Sequence, residues 1–132
     1  MWKPALLLLT VFVLANAGRS PRFRVANPTV SPDYVEANFT SYIDHYSAYA
    51  GNFTMRYFTN SKNFQAGGPL LFYCGNEGNI EEFINATGYI NNLAEDMNAL
   101  IVFAEHRYFG KSLPFGDDAF SDANHTKFLS PH

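Results

Sequence analysis

The sequence predicts an α/β fold, and two apolar runs with a helical segment between them carry that prediction. Residues 70–74 and 99–104 are continuously apolar, which is typical of parallel strands covered by helices on both faces. About 25 residues separate the runs, a suitable length for a right-handed helical crossover. We therefore expect both strands to end at the same edge of one sheet.

The first 17 residues have the features of a secretory signal peptide. Lys3 supplies the positive start, residues 5–14 form the apolar centre, and Ala15 and Ala17 are the small residues of a cleavage site. The segment is shorter than the roughly 20 residues of a membrane span, and a membrane anchor is the alternative. We expect a lumenal or extracellular product with no membrane segment.

Composition indicates a folded and weakly acidic chain. The 132 residues are 47% hydrophobic, and 9 basic side chains stand against 12 acidic ones, for a net charge of −3. Such a chain is too apolar to be disordered and has no basic excess for binding nucleic acid or an anionic membrane. Four sequons agree with export, and they begin at Asn38, Asn52, Asn85 and Asn124.

Before the first apolar run, the pattern predicts little regular structure. Residues 18–43 are expected to form an extended lead-in, because Pro, Asn, Ser and Arg recur there without a period. Residues 53–58 alternate and predict a half-buried strand with Phe53, Met55 and Tyr57 on one face. A turn and a short returning edge at residues 63–65 should follow, within a domain of residues 44–132.

Between the apolar runs, the sequence predicts two helical pieces. Asn79 is a suitable N-cap, and Glu82 stands where it would complete a capping box. Thr87 and Gly88 should interrupt the helix. A second helix is expected to pack on the sheet through residues at helical spacing: Ile90, Leu93, Ala94 and Met97.

Cys74 is the only cysteine, at the end of the first apolar run. An unpaired cysteine in an exported chain indicates a buried free thiol, an intermolecular bridge, or a partner beyond residue 132. We expect the buried thiol, because a small residue suits a buried strand.

Two loops after the apolar runs carry the candidate functional residues. The first loop consists of Gly75, Asn76, Glu77 and Gly78, at the strand end where open α/β sheets bind ligands. Glycines allow the backbone to approach a tetrahedral oxyanion, and the two polar side chains between them can contact a substrate. The alternative is an ordinary turn from strand to helix.

The second loop contains Glu105, His106, Arg107, Tyr108 and Gly110. We expect Glu105 to join a structural ion-pair cluster with Arg107 or Lys111. His106 is expected to be a buried, hydrogen-bonded histidine rather than a catalytic base.

Two further patterns in the sequence do not indicate a catalytic nucleophile or a metal site. Ser112 lies in a near match to the nucleophile motif G-x-S-x-G, but Pro114 occupies the position of the last glycine, so we exclude it as a nucleophile. The pairs Asp44-His45 and Glu105-His106 lack the spacing of metal ligands, so no metal or other cofactor is expected.

With these residues identified, the chain resembles a family of secreted and lysosomal serine exopeptidases. That family includes lysosomal Pro-X carboxypeptidase, dipeptidyl peptidase II and thymus-specific serine protease. The matching segments are residues 44–46, 55–58, 68–78 and 102–116, which include both candidate loops.

The resemblance implies an α/β-hydrolase fold with a later helical cap domain, a Ser-Asp-His triad, and cleavage of peptides beside proline. It also implies a secreted or lysosomal location and a possible homodimer of the intact enzyme. In the family the triad lies downstream of the matched residues, and none of its members maps onto this sequence.

We therefore expect an N-terminal portion of such an enzyme, without the cap domain, the C-terminal half or activity of its own. The alternative is a non-catalytic secreted glycoprotein that binds peptides or a full-length paralogue. A lipase or esterase is disfavoured, because the loop at residues 75–78 replaces the glycine-rich loop of those enzymes.

Overall fold

A computed structural model describes residues 29–47 and 51–129, which form a four-stranded mixed sheet with helices packed on one face. The predicted signal peptide and most of the predicted lead-in, up to residue 28, lie outside the described residues. The strands are β1 (Val35–Tyr42), β2 (Asn52–Asn60), β3 (Leu70–Cys74) and β4 (Leu100–Ala104). The helices are α1 (Ile80–Ala86), α2 (Tyr89–Met97) and α3 (Ala123–Thr126), and 3-10 turns occur at Gly116–Asp118 and Lys127–Leu129.

The spatial order of the strands is β1-β2-β4-β3. β1 pairs antiparallel with β2, and β2 pairs antiparallel with β4. β3 and β4 are parallel, with Phe72 beside Val102, and α1 and α2 form the crossover between them. The predicted α/β arrangement of these two strands is confirmed.

The residues before the crossover differ from the prediction in two places. The lead-in contains a paired strand, β1, because its backbone bonds to β2 over eight residue pairs despite the irregular side-chain pattern. Residues 63–65 form no strand; Gln65 N donates instead to the Asn98 carbonyl across the end of α2.

The structure shows which face of β2 packs on the core. Phe53 is buried, but farther along the strand the buried side chains are Arg56, Phe58 and Asn60, whereas Met55 and Tyr57 are half-buried. Phe58 is beside Phe103 of β4, so this face joins the helix-covered side of the sheet.

Helix boundaries follow local chemistry. The Asn79 side chain accepts from Glu81 N at 3.0 Å and starts α1, as predicted. Within the described chain, the Glu82 side chain is exposed and makes no reciprocal bond to Asn79 N, so the predicted capping box is incomplete. The helices break at Thr87 and Gly88, and α2 ends where Asn98 adopts a left-handed conformation with φ 53°.

The core lies between the sheet and the crossover helices. It comprises Tyr34, Phe58, Ile80, Ile84, Ala94, Ala99, Ile101 and Phe103. Ile90 packs against it, but Met97 is exposed, because it lies in the last turn of α2 beyond the edge of the core. The longest helix in the described ranges has nine residues, far short of a bilayer-spanning length.

Helices cover only one face of the sheet in the part that the structure describes. Leu70 and Phe72 are exposed on the opposite face, where Val102 and Ala104 are half-buried. The prediction that both apolar runs are buried on both faces is therefore wrong for β3, which is an edge strand. The buried thiol predicted for Cys74 is wrong for the same reason, since Cys74 is exposed.

Candidate functional site

The two predicted loops lie side by side at the carboxyl ends of the parallel strands. Gly75 N donates to the Ala104 carbonyl at 2.8 Å. A Cβ atom at Gly75 would lie 2.5 Å from Ala104 O and 2.6 Å from His106 N, which is closer than real contacts allow. Glycine is therefore required for the first loop to approach the second.

Inside the first loop, most backbone amides already have acceptors. Glu77 N donates to Asn76 Oδ1 at 2.8 Å, and Gly78 N donates to the Asn76 carbonyl at 2.8 Å. In residues 29–47 and 51–129, the backbone N–H of Asn76 has no intramolecular acceptor. Asn76 and Glu77 are exposed, so the loop offers one unused N–H and two polar side chains at the strand end.

The second loop is anchored by Glu105, a carboxylate that is only 1% exposed. Its Oε1 accepts from Arg56 Nη2 at 2.7 Å and from Ile80 N at 3.2 Å. Its Oε2 accepts from Arg56 Nε at 3.2 Å, from Ser112 Oγ at 2.8 Å and from Lys111 N at 3.0 Å. Both oxygens are thus saturated by donors from three separate parts of the chain.

Arg56 extends this network to the start of α1. Its Nη1 donates to Glu81 Oε1 at 2.7 Å, its Nη2 donates to Asn79 Oδ1 at 2.9 Å, and Glu36 Oε2 lies 3.5 Å from Nη1. Asn79 and Glu81 lie just after the first loop, and Glu105 belongs to the second loop. The buried Arg56 guanidinium therefore connects the two loops. A buried charge is tolerated when it is paired and hydrogen-bonded in this way.

The network sets the ionisation of Glu105. Burial acts to raise the pKa of this carboxyl, but hydrogen bonds from Arg56, Ile80 N and Ser112 outweigh it and hold the pKa below the ordinary value of 4.5. Burial acts to lower the pKa of Arg56, but the bonds to Glu105 and Glu81 raise it above its ordinary value. The pair is therefore a structural ion pair and not a proton donor or acceptor at neutral pH.

The predicted partners of Glu105 are wrong. Arg107 packs over the Phe53 ring at 5.2 Å and donates to the Ile43 carbonyl, and in the described residues it forms no ion pair with Glu105. The Lys111 ammonium is exposed and lies 3.5 Å from Glu36 Oε2, while only its backbone amide reaches Glu105. The true partner, Arg56, comes from β2, 49 residues earlier in the chain.

Two residues of the second loop have restricted backbones. Gly110 has φ 56°, and a Cβ atom there would lie 1.9 Å from Glu105 Oε1. Tyr108 is buried with φ 69°, a conformation that costs a bulky residue about 1–3 kcal/mol. Its hydroxyl donates to the His125 carbonyl, and burial raises the pKa of that hydroxyl.

Ser112 and His106 have structural contacts rather than catalytic ones. Ser112 is fully buried, and its Oγ accepts from Arg56 N at 2.9 Å while donating to Glu105. His106 is half-buried, with Nδ1 2.7 Å from the Arg107 carbonyl and its ring against Phe109. Within the described ranges, no three His, Cys, Asp or Glu side chains cluster as metal ligands.

The four sequon asparagines are all exposed, but their surroundings differ. Asn38 and Asn52 lie on the β1–β2 ribbon, and Asn124 lies on the short helix α3. Asn85 lies near the end of α1 and lines a groove of about 470 Å³.

Sequence reasoning found both loops but missed Arg56 and Asn79 as the residues that join them. One signal for Arg56 was available, since it is the only charged residue of β2 and stands between the apolar and aromatic residues Met55 and Tyr57. An unpaired charge is rarely buried, so such a residue indicates an ionic partner on another element.

Comparison with known proteins finds a family model whose match includes both loops. Residues 41–130 match the family model of serine carboxypeptidase S28. Lysosomal Pro-X carboxypeptidase of Mus musculus is 42% identical over 139 residues, which covers 94% of this chain and 28% of that protein. The Homo sapiens protein of the same name is 44% identical over 105 residues, which covers 78% and 21%.

A third relative agrees over a shorter span. Prolyl carboxy peptidase like protein 5 of Caenorhabditis elegans is 46% identical over 78 residues, which covers 59% of this chain and 15% of that protein. The chain thus spans less than a third of the length of each of these relatives.

Proposed function

The chain belongs to the serine carboxypeptidase S28 family, and on that premise we propose that it forms the oxyanion side of a proline-directed serine exopeptidase. In such a reaction a serine attacks the peptide carbonyl, and the carbonyl oxygen becomes a tetrahedral oxyanion. A preorganised N–H near that oxygen stabilises the transition state. The serine, aspartate and histidine of the triad belong, in this proposal, to sequence outside this chain.

The observation that carries the proposal is the backbone N–H of Asn76, which has no acceptor in the described residues and lies on a loop fixed at both ends. The close contact between Gly75 and Ala104 fixes one end of the loop, and the Asn79–Arg56 hydrogen bond fixes the other. A donor held in this way loses little freedom when it binds an oxyanion. In the proposal, the exposed Glu77 carboxylate contacts a peptide amine, whereas the Asn76 side chain offers both donors and an acceptor.

The open face of the sheet supports the idea of a larger enzyme. Exposed Leu70 and Phe72 lie next to half-buried Val102 and Ala104, and the outer edge of β3 is unpaired in the described part. Apolar strand edges of this kind require cover to avoid aggregation. In the proposal, further sequence covers this face and supplies the triad, so residues 18–132 alone should not hydrolyse peptides.

The remaining features of the proposal follow from the family. The substrate is a peptide with proline beside the scissile bond, cleaved as a carboxypeptidase or a dipeptidyl peptidase, without a cofactor. The product of the gene is secreted or lysosomal, in keeping with the names of the Mus musculus and Homo sapiens relatives.

A chimera tests the catalytic proposal. Residues 29–129 would replace the aligned segment of the Mus musculus relative, and hydrolysis of Pro-X peptides would be measured. Asn76→Pro removes the amide hydrogen and should lower kcat about 100-fold to 1000-fold, with KM much less affected. Asn76→Ser keeps that hydrogen and a side-chain oxygen that can accept from Glu77 N, so it is the matched control. Equal kcat for the two variants would overturn the assignment of the Asn76 backbone N–H.

The chain by itself tests the second part of the proposal. Purified residues 18–132 should show no Pro-X hydrolysis and no labelling by a serine-directed phosphonate. Hydrolysis together with labelling would contradict the absence of a nucleophile. Monodisperse secretion with cooperative unfolding of the chain alone would instead favour a non-catalytic glycoprotein that binds peptides or a paralogue.

A further inference from the structure

We propose that the groove beside Asn85 binds the first N-acetylglucosamine units of a glycan attached to that residue. The groove lies between the segment before β1, the end of β2 and the two crossover helices. Its lining includes five asparagines, Asn60, Asn63, Asn85, Asn91 and Asn92, together with Glu95. Its volume of about 470 Å³ falls in the usual range of small-ligand sites.

Asn85 has both the sequence and the position for this role. It is the first residue of the sequon Asn85-Ala86-Thr87, lies in the last turn of α1, and is exposed at the rim of the groove. A sugar on its side-chain amide would begin at the groove itself. The other three sequon asparagines do not line this groove, so a glycan on any of them would start elsewhere.

The floor of the groove is polar but already ordered. The Tyr34 hydroxyl donates to Asn91 Oδ1 at 2.9 Å, and buried Asn60 accepts from Lys62 N at 3.0 Å. These bonds hold the planar amides in place before any ligand binds. A preorganised amide surface suits a sugar ring, because its hydroxyl and acetamido groups need both donors and acceptors.

The walls have unused hydrogen-bonding capacity. In the described part of the chain, the side chains of Asn63, Asn92 and Glu95 make no hydrogen bond, although all three line the groove. Lys62 is paired with Asp33 at 2.9 Å, so the one basic side chain of the lining is not free for an anion. Five asparagines, a lysine paired with Asp33 and the Glu95 carboxylate match an uncharged polar ligand better than an anionic or apolar one.

Native deglycosylation tests the proposal. The full chain would be secreted from mammalian cells, and release of each glycan by a peptide:N-glycanase would be followed by mass spectrometry before and after denaturation. Two or more net hydrogen bonds to the sugar should slow native release at Asn85 about tenfold relative to Asn124. After denaturation the two rates should be equal.

Variants locate the protection. Asn63→Ala with Asn92→Ala should raise the native release rate at Asn85 toward that at Asn124. Asp96→Ala is the control, because Asp96 is an exposed residue of α2 that does not line the groove. An unoccupied Asn85, or equal native release at Asn85 and Asn124 in the wild-type chain, would overturn the proposal, and neither measurement depends on a variant folding.

A final arm separates an attached sugar from an external one. Thr87→Ala abolishes the sequon, and the groove of that variant would be titrated with chitobiose by NMR. Binding of chitobiose together with a protected wild-type glycan supports the proposal. Binding of chitobiose with an unprotected wild-type glycan would overturn it in favour of a site for an external glycan.

Discussion

β3 and β4 have nearly the same kind of sequence and opposite environments. Both are five-residue apolar strands, parallel and hydrogen-bonded to each other. Phe103 of β4 is completely buried, whereas Phe72 of β3 is 57% exposed. Part of the difference is the face of the sheet, because Phe103 lies on the helix-covered side and Phe72 on the open side. Strand order adds to it, because β4 lies between two neighbours and β3 lies at the edge.

The contrast continues into the loops that follow the two strands. β4 leads into Glu105, whose two oxygens accept five hydrogen bonds in a buried network. β3 leads into Gly75 and the exposed residues Asn76 and Glu77. The loop after β4 is therefore rigid, and the loop after β3 is accessible to solvent. The hydrogen bond from Arg56 to Asn79 connects the buried network to the end of the accessible loop.

The largest expected effect comes from removing the anchor after β4. Glu105→Ala leaves the buried Arg56 cation without its main partner and should lower the free energy of unfolding by about 3–5 kcal/mol. Urea denaturation would measure this loss in the free energy of unfolding. Glu81→Ala removes a more exposed partner of the same cation and should cost only about 1 kcal/mol; an equal loss in both variants would refute the central role of Glu105.

Two phenylalanines on opposite faces of the sheet test the difference between the covered side of β4 and the open side of β3. Phe103→Ala opens a cavity in the core and should cost about 3–5 kcal/mol in the free energy of unfolding. Phe72→Ala should cost less than about 1 kcal/mol, because its ring is mostly in water. Similar losses, measured by urea denaturation of the same chain, would mean that β3 is covered in solution.

The contact between the two loops gives an intermediate effect. Gly75→Ala would place a methyl group against the Ala104 carbonyl and should cost about 1–3 kcal/mol through backbone displacement. Gly88→Ala is the control, since a Cβ atom there meets nothing within 4 Å. Thermal unfolding of both variants would show whether the close approach is real; a neutral Gly75→Ala would contradict it.

Acidification should lower the free energy of unfolding by less than Glu105→Ala does, because protonation of Glu105 leaves its carboxyl group in place. The folded-state pKa of Glu105 is below its ordinary value of 4.5, so its stabilising contribution is complete above that value and is lost as the pH falls through the folded-state pKa. The free energy of unfolding should therefore decrease below about pH 4.5. Glu105→Gln should flatten this decrease, and an unchanged pH profile would argue against the assignment.

The smallest effect on stability is expected at the end of β3. Cys74→Ser should change the free energy of unfolding by no more than about 0.5 kcal/mol, because the thiol is exposed. A thiol reagent such as dithionitrobenzoate should react with the native chain nearly as fast as with the denatured one. Strong native protection would show that another surface covers the edge strand.

The local features of this chain were predictable from the sequence. Two apolar runs separated by a capped helical segment specified β3, the crossover and β4, since each signal lies within a few consecutive residues. The break at Thr87 and Gly88 and the N-cap at Asn79 followed from the same local chemistry. Gly75 and Glu105 were also found, because they directly follow apolar runs.

The predictions that failed depended on which elements become neighbours. β1 has no periodic side-chain pattern, so only its pairing with β2 makes it a strand. The burial expected for Cys74 assumed a covered strand, and the ion pairs expected for Glu105 assumed partners nearby in sequence. Arg56 instead reaches Glu105 because β2 inserts beside β4, an arrangement that no local pattern encodes.

By itself, the sequence determined the family, the elements of the crossover and the two loops at the end of the parallel strands. Only the tertiary structure decided that β4 is central and β3 is an edge, that Arg56 is the buried partner of Glu105, and that Asn85 borders a groove. The physical reason is that propensity and capping act over a few residues, whereas burial and ion pairing are set by contacts between residues far apart in the chain.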